Sequence, residues 1–251
     1  MDLGLRDRVA AVAAASTGLG LASARALAAE GARVAICGRH ADRLDAAAAT
    51  IEQDGYGAVL TVVADVSVPE DAARFVAEAA EGLGPVDILV ANAGGPPGGT
   101  FASTDLAGYE EAPRLNLLST VALCQAAVPG MQERGWGRVV AITSVGARQP
   151  IGRLIASSTA RAGATAFLKV LATEVAGDGV TVNSVQPGMH ATDRLTHLGT
   201  ALDDLARQIP AGFVGDPDDF GAVVAFLCSQ QAKFITGSAL PIEGGAVGAL
   251  Q

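Results

Sequence analysis

The residues with the clearest chemical meaning in this chain sit in one turn. Ala14-Ala15-Ser16-Thr17-Gly18-Leu19-Gly20 joins an apolar run, Val9–Ala13, to a stretch with helical spacing, Leu19–Glu30. A turn that ends in a helix N-terminus gathers backbone N–H groups and the positive end of a helix dipole, and both favour a phosphate. Gly18 and Gly20 allow close approach of chain, helix and ligand. The plain alternative is a tight strand–helix turn that holds nothing. Some residues later, Ile36-Cys37-Gly38-Arg39-His40 ends a second apolar run. A carboxylate there would grip a ribose 2′-hydroxyl, and residues 36–41 contain none. Arg39 offers a guanidinium to a 2′-phosphate instead. The pair predicts a dinucleotide site with NADP(H) preferred over NAD(H); a solvated loop arginine is the competing reading.

Such groups need a scaffold that brings loop tips together. Apolar runs at Val9–Ala13, Arg33–Cys37, Val59–Ala64, Val86–Ala91, Arg138–Thr143, Val180–Val185 and Ser238–Ile242 read as strands. Helical stretches alternate with them: Leu19–Glu30, Asp42–Asp54, Pro69–Glu81, Asp105–Arg134, Leu154–Ala176 and Pro217–Ser229. Pro113 predicts a break inside the fourth of these. Strands that are nearly continuous apolar runs belong to a parallel sheet covered on both faces. Alternation at this spacing means an α/β fold: a doubly wound, Rossmann-type parallel sheet in a single three-layer domain, residues 1–251. Ligands of such sheets bind beyond the carboxyl ends of the strands.

Composition narrows the function classes. Half of the 251 residues are apolar, and the formal net charge is −9. That supports a sizeable core and argues against nucleic acid, which needs a basic footprint. Cys37, Cys124 and Cys228 are far apart and form no paired motif, which points to a reducing compartment rather than a disulfide framework. No cluster has metal-ligand spacing. The charged start, with Asp2, Arg6, Asp7 and Arg8, is unlike a signal peptide. The uncharged stretch Leu115–Gln132 contains Asn116, Gln125 and Pro129 and reads as a buried helix rather than a membrane span. A cytoplasmic enzyme without membrane partner is the expectation.

Further motifs stand at successive strand ends. Asp65-Val66 follows the third strand and Asn92-Ala93-Gly94 the fourth. Val182-Asn183-Ser184-Val185-Gln186-Pro187-Gly188 is followed by Thr192, and Phe234-Ile235-Thr236-Gly237 and Glu243-Gly244-Gly245 close the chain. In this order the motifs resemble the short-chain dehydrogenase/reductase family over the whole chain, in its branch similar to 3-oxoacyl-carrier-protein reductases. The resemblance implies that Ser16, Gly18, Leu19 and Gly20 cradle the pyrophosphate. It implies that Asp65 and Val66 hold the adenine, Asn92, Ala93 and Gly94 the ribose side, and Pro187, Gly188 and Thr192 the nicotinamide end. The family's turn reads Thr-Gly where this chain has Ala13-Ala14. Ala14 fits only where that position does not need φ > 0.

The resemblance also implies a catalytic set of Asn, Ser, Tyr and Lys. Asn116 and Ser144 stand in the first two places. The Tyr position is Ser157 and the Lys position is Arg161. An aliphatic hydroxyl is a far weaker acid than a phenol. Arg161 stays protonated, so it cannot relay a proton, yet it can bond ribose hydroxyls. Tyr56 and Tyr109 are the chain's only tyrosines, and neither is a replacement; Tyr109 reads as a packing aromatic. His190, in the loop that the resemblance places at the nicotinamide, is the candidate proton carrier. A surface loop histidine is the alternative, and for His197 it is the stronger one. Ser157 passing a proton through water is a second route.

The leading expectation is an NADP(H)-dependent reductase or dehydrogenase of a carbonyl or secondary alcohol with an atypical proton donor. The alternatives are a non-redox enzyme on the same fold and a redox-silent cofactor-binding partner protein. Residues 189–213 are expected to line the cleft for a small-molecule substrate; Arg148 and Arg153 flank the loop after Ser144, either over the cleft to meet an anionic group or, more often for such residues, simply solvated. Family members are mostly dimers or tetramers, so a homo-dimer or homo-tetramer is expected, packed through Ala-rich helices such as Leu154–Ala176.

Overall fold

A computed structural model describes residues 1–54, 56–196 and 201–248. Seven parallel strands form one sheet: β1 (Val9–Val12), β2 (Arg33–Gly38), β3 (Leu60–Val63), β4 (Ile88–Ala91), β5 (Gly137–Ile142), β6 (Val180–Pro187) and β7 (Ala239–Ile242). Their order is β3-β2-β1-β4-β5-β6-β7. The direction of winding reverses between β1 and β4, where Ala10 pairs with Ile88 and Val12 with Val90. A crevice opens at such a reversal, beyond the carboxyl ends of the strands.

The strands are nearly all apolar because helices cover both faces. One face carries α3 (Pro69–Leu83), α5 (Ser119–Glu133) and α6 (Ile155–Val175); Phe75, Leu123, Met131 and Leu168 fill the space above Ala11, Leu89 and Val139. The other carries α1 (Gly18–Ala29), α2 (Ala41–Gln53) and α9 (Pro217–Cys228), with Leu27, Leu44 and Phe220 packed on Val12, Ile36 and Val140. Alternate residues of each strand feed the two cores, as the pleat requires. The helices α1 and α9 sit so close that a Cβ at Gly221 would lie 2.4 Å from the Ala22 carbonyl oxygen.

Pro113 does not end its helix. Helix α4 (Leu106–Pro113) passes into a π-helical turn, Arg114–Leu118, and then into α5. Proline lacks the N–H that an α-helical ladder needs, and the wider turn absorbs the missing bond. The remaining short helices are α7 (Asp193–Thr196) and α8 (Leu202–Ala206). Cys37, Cys124 and Cys228 are buried as free thiols, and burial pushes each up to about 12. They behave as small core residues. Among the described residues no helix is long and apolar enough to cross a membrane.

Candidate active site

Parallel strands put all their carboxyl ends on one edge, so the predicted residues of six loops meet there. The glycine turn leads into α1, whose N-cap residue Thr17 makes no side-chain cap bond and whose first turn holds no acidic residue. The amides at this end are therefore left for another acceptor. Helices α4 and α9 close the same end with Asp105 and Asp216 side chains, and α3 carries Glu70 and Asp71 there. Gly18 has φ +60°, with Thr192 beside it: a Cβ there would meet Thr192 Cγ2 at 3.6 Å. At Gly20 a Cβ would lie 2.6 Å from the Ala14 oxygen and 2.8 Å from Asn92 Nδ2, so the turn closes only over glycine. Leu19 packs into the core beneath.

Ala14 departs from the condition set above. Its φ is +47°, in the left-handed region that a side chain disfavours. Asn92 Nδ2 donates to the Ala14 carbonyl at 3.1 Å, and Ala15 N–H bonds the Cys37 carbonyl at 2.9 Å. These bonds from two neighbouring strands hold the alanine in its strained conformation.

At the end of β2, Arg39 is exposed, and the space a Cβ would take at Gly38 faces Ser16 Oγ at 3.4 Å. Ser16 thus lies beside the end of β2, and Arg39 follows it on the surface. Asp65 is partly committed to local structure: Oδ1 accepts from Ser67 N at 3.0 Å and Ser67 Oγ at 2.8 Å, and its own N–H bonds Asp71. That amide and Arg74 hold the Asp71 carboxyl below its ordinary value. Val66 is buried in the core, and Ala93 packs against it. A Cβ at Gly94 would meet nothing within 4 Å, so this glycine borders open cleft. Gly188 needs to be small for another reason: a Cβ would lie 2.7 Å from that of Glu243, where Gly188 N–H bonds Ile242 O at 2.9 Å. Pro187 ends β6 next to it.

The four candidate catalytic positions also converge. Asn116 lies in the π-helical turn, buried, and its Nδ2 donates to the Gly94 carbonyl at 2.8 Å. Ser157 Oγ donates to Asn116 Oδ1 at 3.2 Å. Since that oxygen only accepts, the Ser157 proton is spent on it and lone pairs remain for the cleft. Ser144 follows β5 and its Oγ accepts the Gly146 N–H at 3.0 Å, which leaves its own proton to donate. Arg161 Nη1 donates to the Ile142 carbonyl at 3.0 Å, which fixes a guanidinium under the same strand end. Tyr109 packs on Ala112, Ala156 and Ala160, away from chemistry.

Two expectations need correction. His190 is neither a surface histidine nor placed as a proton carrier. It is 6% exposed, its ring stands edge-on to Phe220 at 5.1 Å, and it abuts Gly215. Burial lowers its pKa, against the raising effects of the Gly188 carbonyl and Asp216. Arg148 reaches sideways to the Ala239 carbonyl of edge strand β7 at 3.2 Å rather than over the cleft. Arg153 is exposed and holds the loop through its main-chain oxygen, which accepts from Gly99 N at 2.8 Å. Of the 189–213 segment, residues 197–200, with His197, lie outside the described residues. Sequence reasoning missed Ser158: it is buried, and its Oγ accepts from Ile151 N at 3.2 Å, bracing the loop after Ser144. Its neighbour Ser157 drew the signal because only that position matched a catalytic place.

The glycine turn at Gly18 and Gly20 and the uncapped start of α1 fit the phosphates of a dinucleotide. Together, fold and site define an enzyme of the dinucleotide-binding, doubly wound α/β class. The family model described as Enoyl-(Acyl carrier protein) reductase matches residues 13–247. The chain is 34% identical to a 3-oxoacyl-[acyl-carrier-protein] reductase of Aquifex aeolicus over 251 residues, 98% of this chain and 99% of that one. The L-sorbose reductase of Gluconobacter frateurii, solved with NADPH and L-sorbose, superposes with a TM-score of 0.94 at 32% identity over 100% of both chains. A short chain oxidoreductase of Pseudomonas aeruginosa PAO1, solved with NADPH and described as containing an atypical catalytic center, gives 0.92 at 32% identity, covering 97% of this chain and 98% of that one. The chain belongs to the short-chain dehydrogenase/reductase family.

Proposed function

We propose that this protein is an NADPH-dependent reductase of a small carbonyl compound in which Ser144, not residue 157, presents the proton. The observation that carries the reading is the opposite polarity of the two hydroxyls. Ser157 gives its proton to Asn116, while Ser144 accepts from Gly146 and keeps its own. The bound nicotinamide would supply hydride to the carbonyl carbon. Ser144 Oγ–H then donates to the carbonyl oxygen and is replenished from solvent, so the carbonyl ends as a secondary alcohol. Arg161 holds a charge that does not titrate, which favours a developing negative oxygen without taking part in proton transfer. Arg39 and Ser16 support the preference for NADPH over NADH. The NADPH-bound relatives, one with an atypical centre, support the same assignment.

Assembly into a homo-dimer or homo-tetramer belongs to this reading. Leu240 is exposed on edge strand β7, Phe234 is 99% exposed in the segment before it, and Val170 is exposed on α6; sedimentation would read the state.

The test is fluorescence titration with NADPH and NADH, then NADPH oxidation against small ketones with native protein and Ser144→Ala. Tight NADPH binding, with turnover lost in Ser144→Ala and binding retained, is the expected result. No binding of either nucleotide, or unchanged turnover in Ser144→Ala, overturns it. Turnover of a substrate without change in nicotinamide absorbance points to non-redox chemistry at the same site.

A further inference from the structure

We propose that His190 is a positioning residue: a ring that clamps two crossing chain segments and so sets Thr192 against the glycine turn. The two segments meet at one point. Gly215 N–H bonds the Met189 carbonyl at 3.0 Å, and Ala191 N–H bonds the Gly215 carbonyl at 2.9 Å, a short parallel bridge centred on His190 and Gly215. The His190 ring fills the space in which Gly215 would carry a side chain: a Cβ there would lie 2.8 Å from Cδ2 and 2.9 Å from Nε2. The other side of the ring meets Phe220 of α9 edge-on, and Nδ1 lies 3.4 Å from the Gly188 carbonyl. The ring thus ties the end of β6, the start of α9 and Gly215 into one unit. Thr192 N–H bonds the His190 carbonyl at 2.8 Å, and Thr192 Cγ2 lies beside the Gly18 position.

A buried ring at such a crossing acts by volume. Its removal leaves a void and frees the bridge, whereas another ring of similar size keeps both. Glycine at 215 is the complement of the ring, because a methyl group there competes with it for the same space.

The consequence for the cofactor rests on the NADPH reading above; the clamp itself does not. The experiment is therefore amide hydrogen exchange of Ala191 and Gly215 in the free full-length protein, together with NADPH titration. His190→Ala should speed exchange at both amides by about tenfold or more while the amides of β5 stay unchanged. It should also weaken NADPH by a similar factor. His190→Phe should keep native exchange and native NADPH affinity. Gly215→Ala should loosen the bridge like His190→Ala, and the double variant His190→Ala/Gly215→Ala should recover part of the loss. Native exchange in His190→Ala, or His190→Phe behaving like His190→Ala, overturns the proposal. Wild type that fails to bind NADPH defeats the function assigned above, and the exchange data still decide the clamp.

Discussion

Ser157 Oγ and Asn116 Oδ1 are 3.2 Å apart, joined by a hydrogen bond that only the serine can donate. The bond connects α6 to the π-helical turn, and Asn116 carries it on to Gly94 at the cleft edge. Ser157, at the position where the sequence resemblance expects a phenol, is thus a structural hydroxyl in a directed chain of hydrogen bonds.

It follows that the family's pair, reinstalled, should create a second source of protons. Ser157→Tyr combined with Arg161→Lys should raise NADPH oxidation with small ketones by about tenfold or more. It should also add a limb to the pH–rate profile that wild type lacks, since neither Ser157 nor Arg161 titrates near neutrality. Steady-state kinetics from pH 6 to pH 10 checks this; an unchanged profile would show that residue 157 does not face the reacting oxygen.

Ala14 carries strain that glycine would not. A side chain at φ +47° costs about 1–2 kcal/mol. Glycine gives back about 0.5–1 kcal/mol of that through greater freedom in the unfolded chain. Ala14→Gly should therefore stabilise the protein by about 0.5–1 kcal/mol in urea denaturation. A loss of stability would mean that the methyl group makes a contact worth more than the strain.

Arg39 should discriminate between the two nucleotides. Losing a charge-assisted contact costs about 1.5–3 kcal/mol, so Arg39→Ala should weaken NADPH by roughly ten- to a hundredfold. NADH, which has no 2′-phosphate, should bind as before. Equal losses for both nucleotides would remove Arg39 from the 2′-phosphate role.

The burial of His190 predicts a pH effect on stability. Burial lowers its pKa from 6.5, so the unfolded chain binds this proton more readily than the folded one. Stability conferred by the neutral ring is full above about pH 6.5 and falls as pH drops toward the folded value. The Gly188 carbonyl and Asp216 oppose the shift without cancelling it. Asp71, held below 3.8, titrates in a lower window and leaves this one clear. Calorimetry between pH 7 and pH 5 should show a smaller fall in Tm for His190→Phe than for wild type; equal falls would remove His190 as the cause.

Much of this architecture is written locally. Short runs such as Val86–Ala91, apolar but for Asp87, read as buried strands, Gly31 follows the end of α1, and the strand–helix alternation points to a doubly wound sheet. Since parallel strands end on one edge, knowledge of the strands also places Gly18, Arg39, Asp65, Asn92, Ser144 and Gly188 around one crevice. The resemblance to the family singled out Ser157 and Arg161 as the positions where a Tyr and a Lys are expected.

Other features depend on which groups meet across the chain. The sequence showed a proline at 113, but whether the helix ends there or widens depends on packing, because a π-turn needs neighbours to hold it. It showed an alanine at 14, but only the bonds from Asn92 and to Cys37 force its positive φ. It showed a histidine in a loop, and its meaning reversed once Phe220 and Gly215 closed around it. The direction of a hydroxyl proton is the clearest case. Ser144 and Ser157 are the same residue by sequence, and each owes its role to a partner, Gly146 or Asn116, that folding brings within hydrogen-bond distance. Local propensity and burial period fixed the elements of this protein. The polarity of its site was decided by the tertiary structure, because a hydrogen bond depends on the position of both partners.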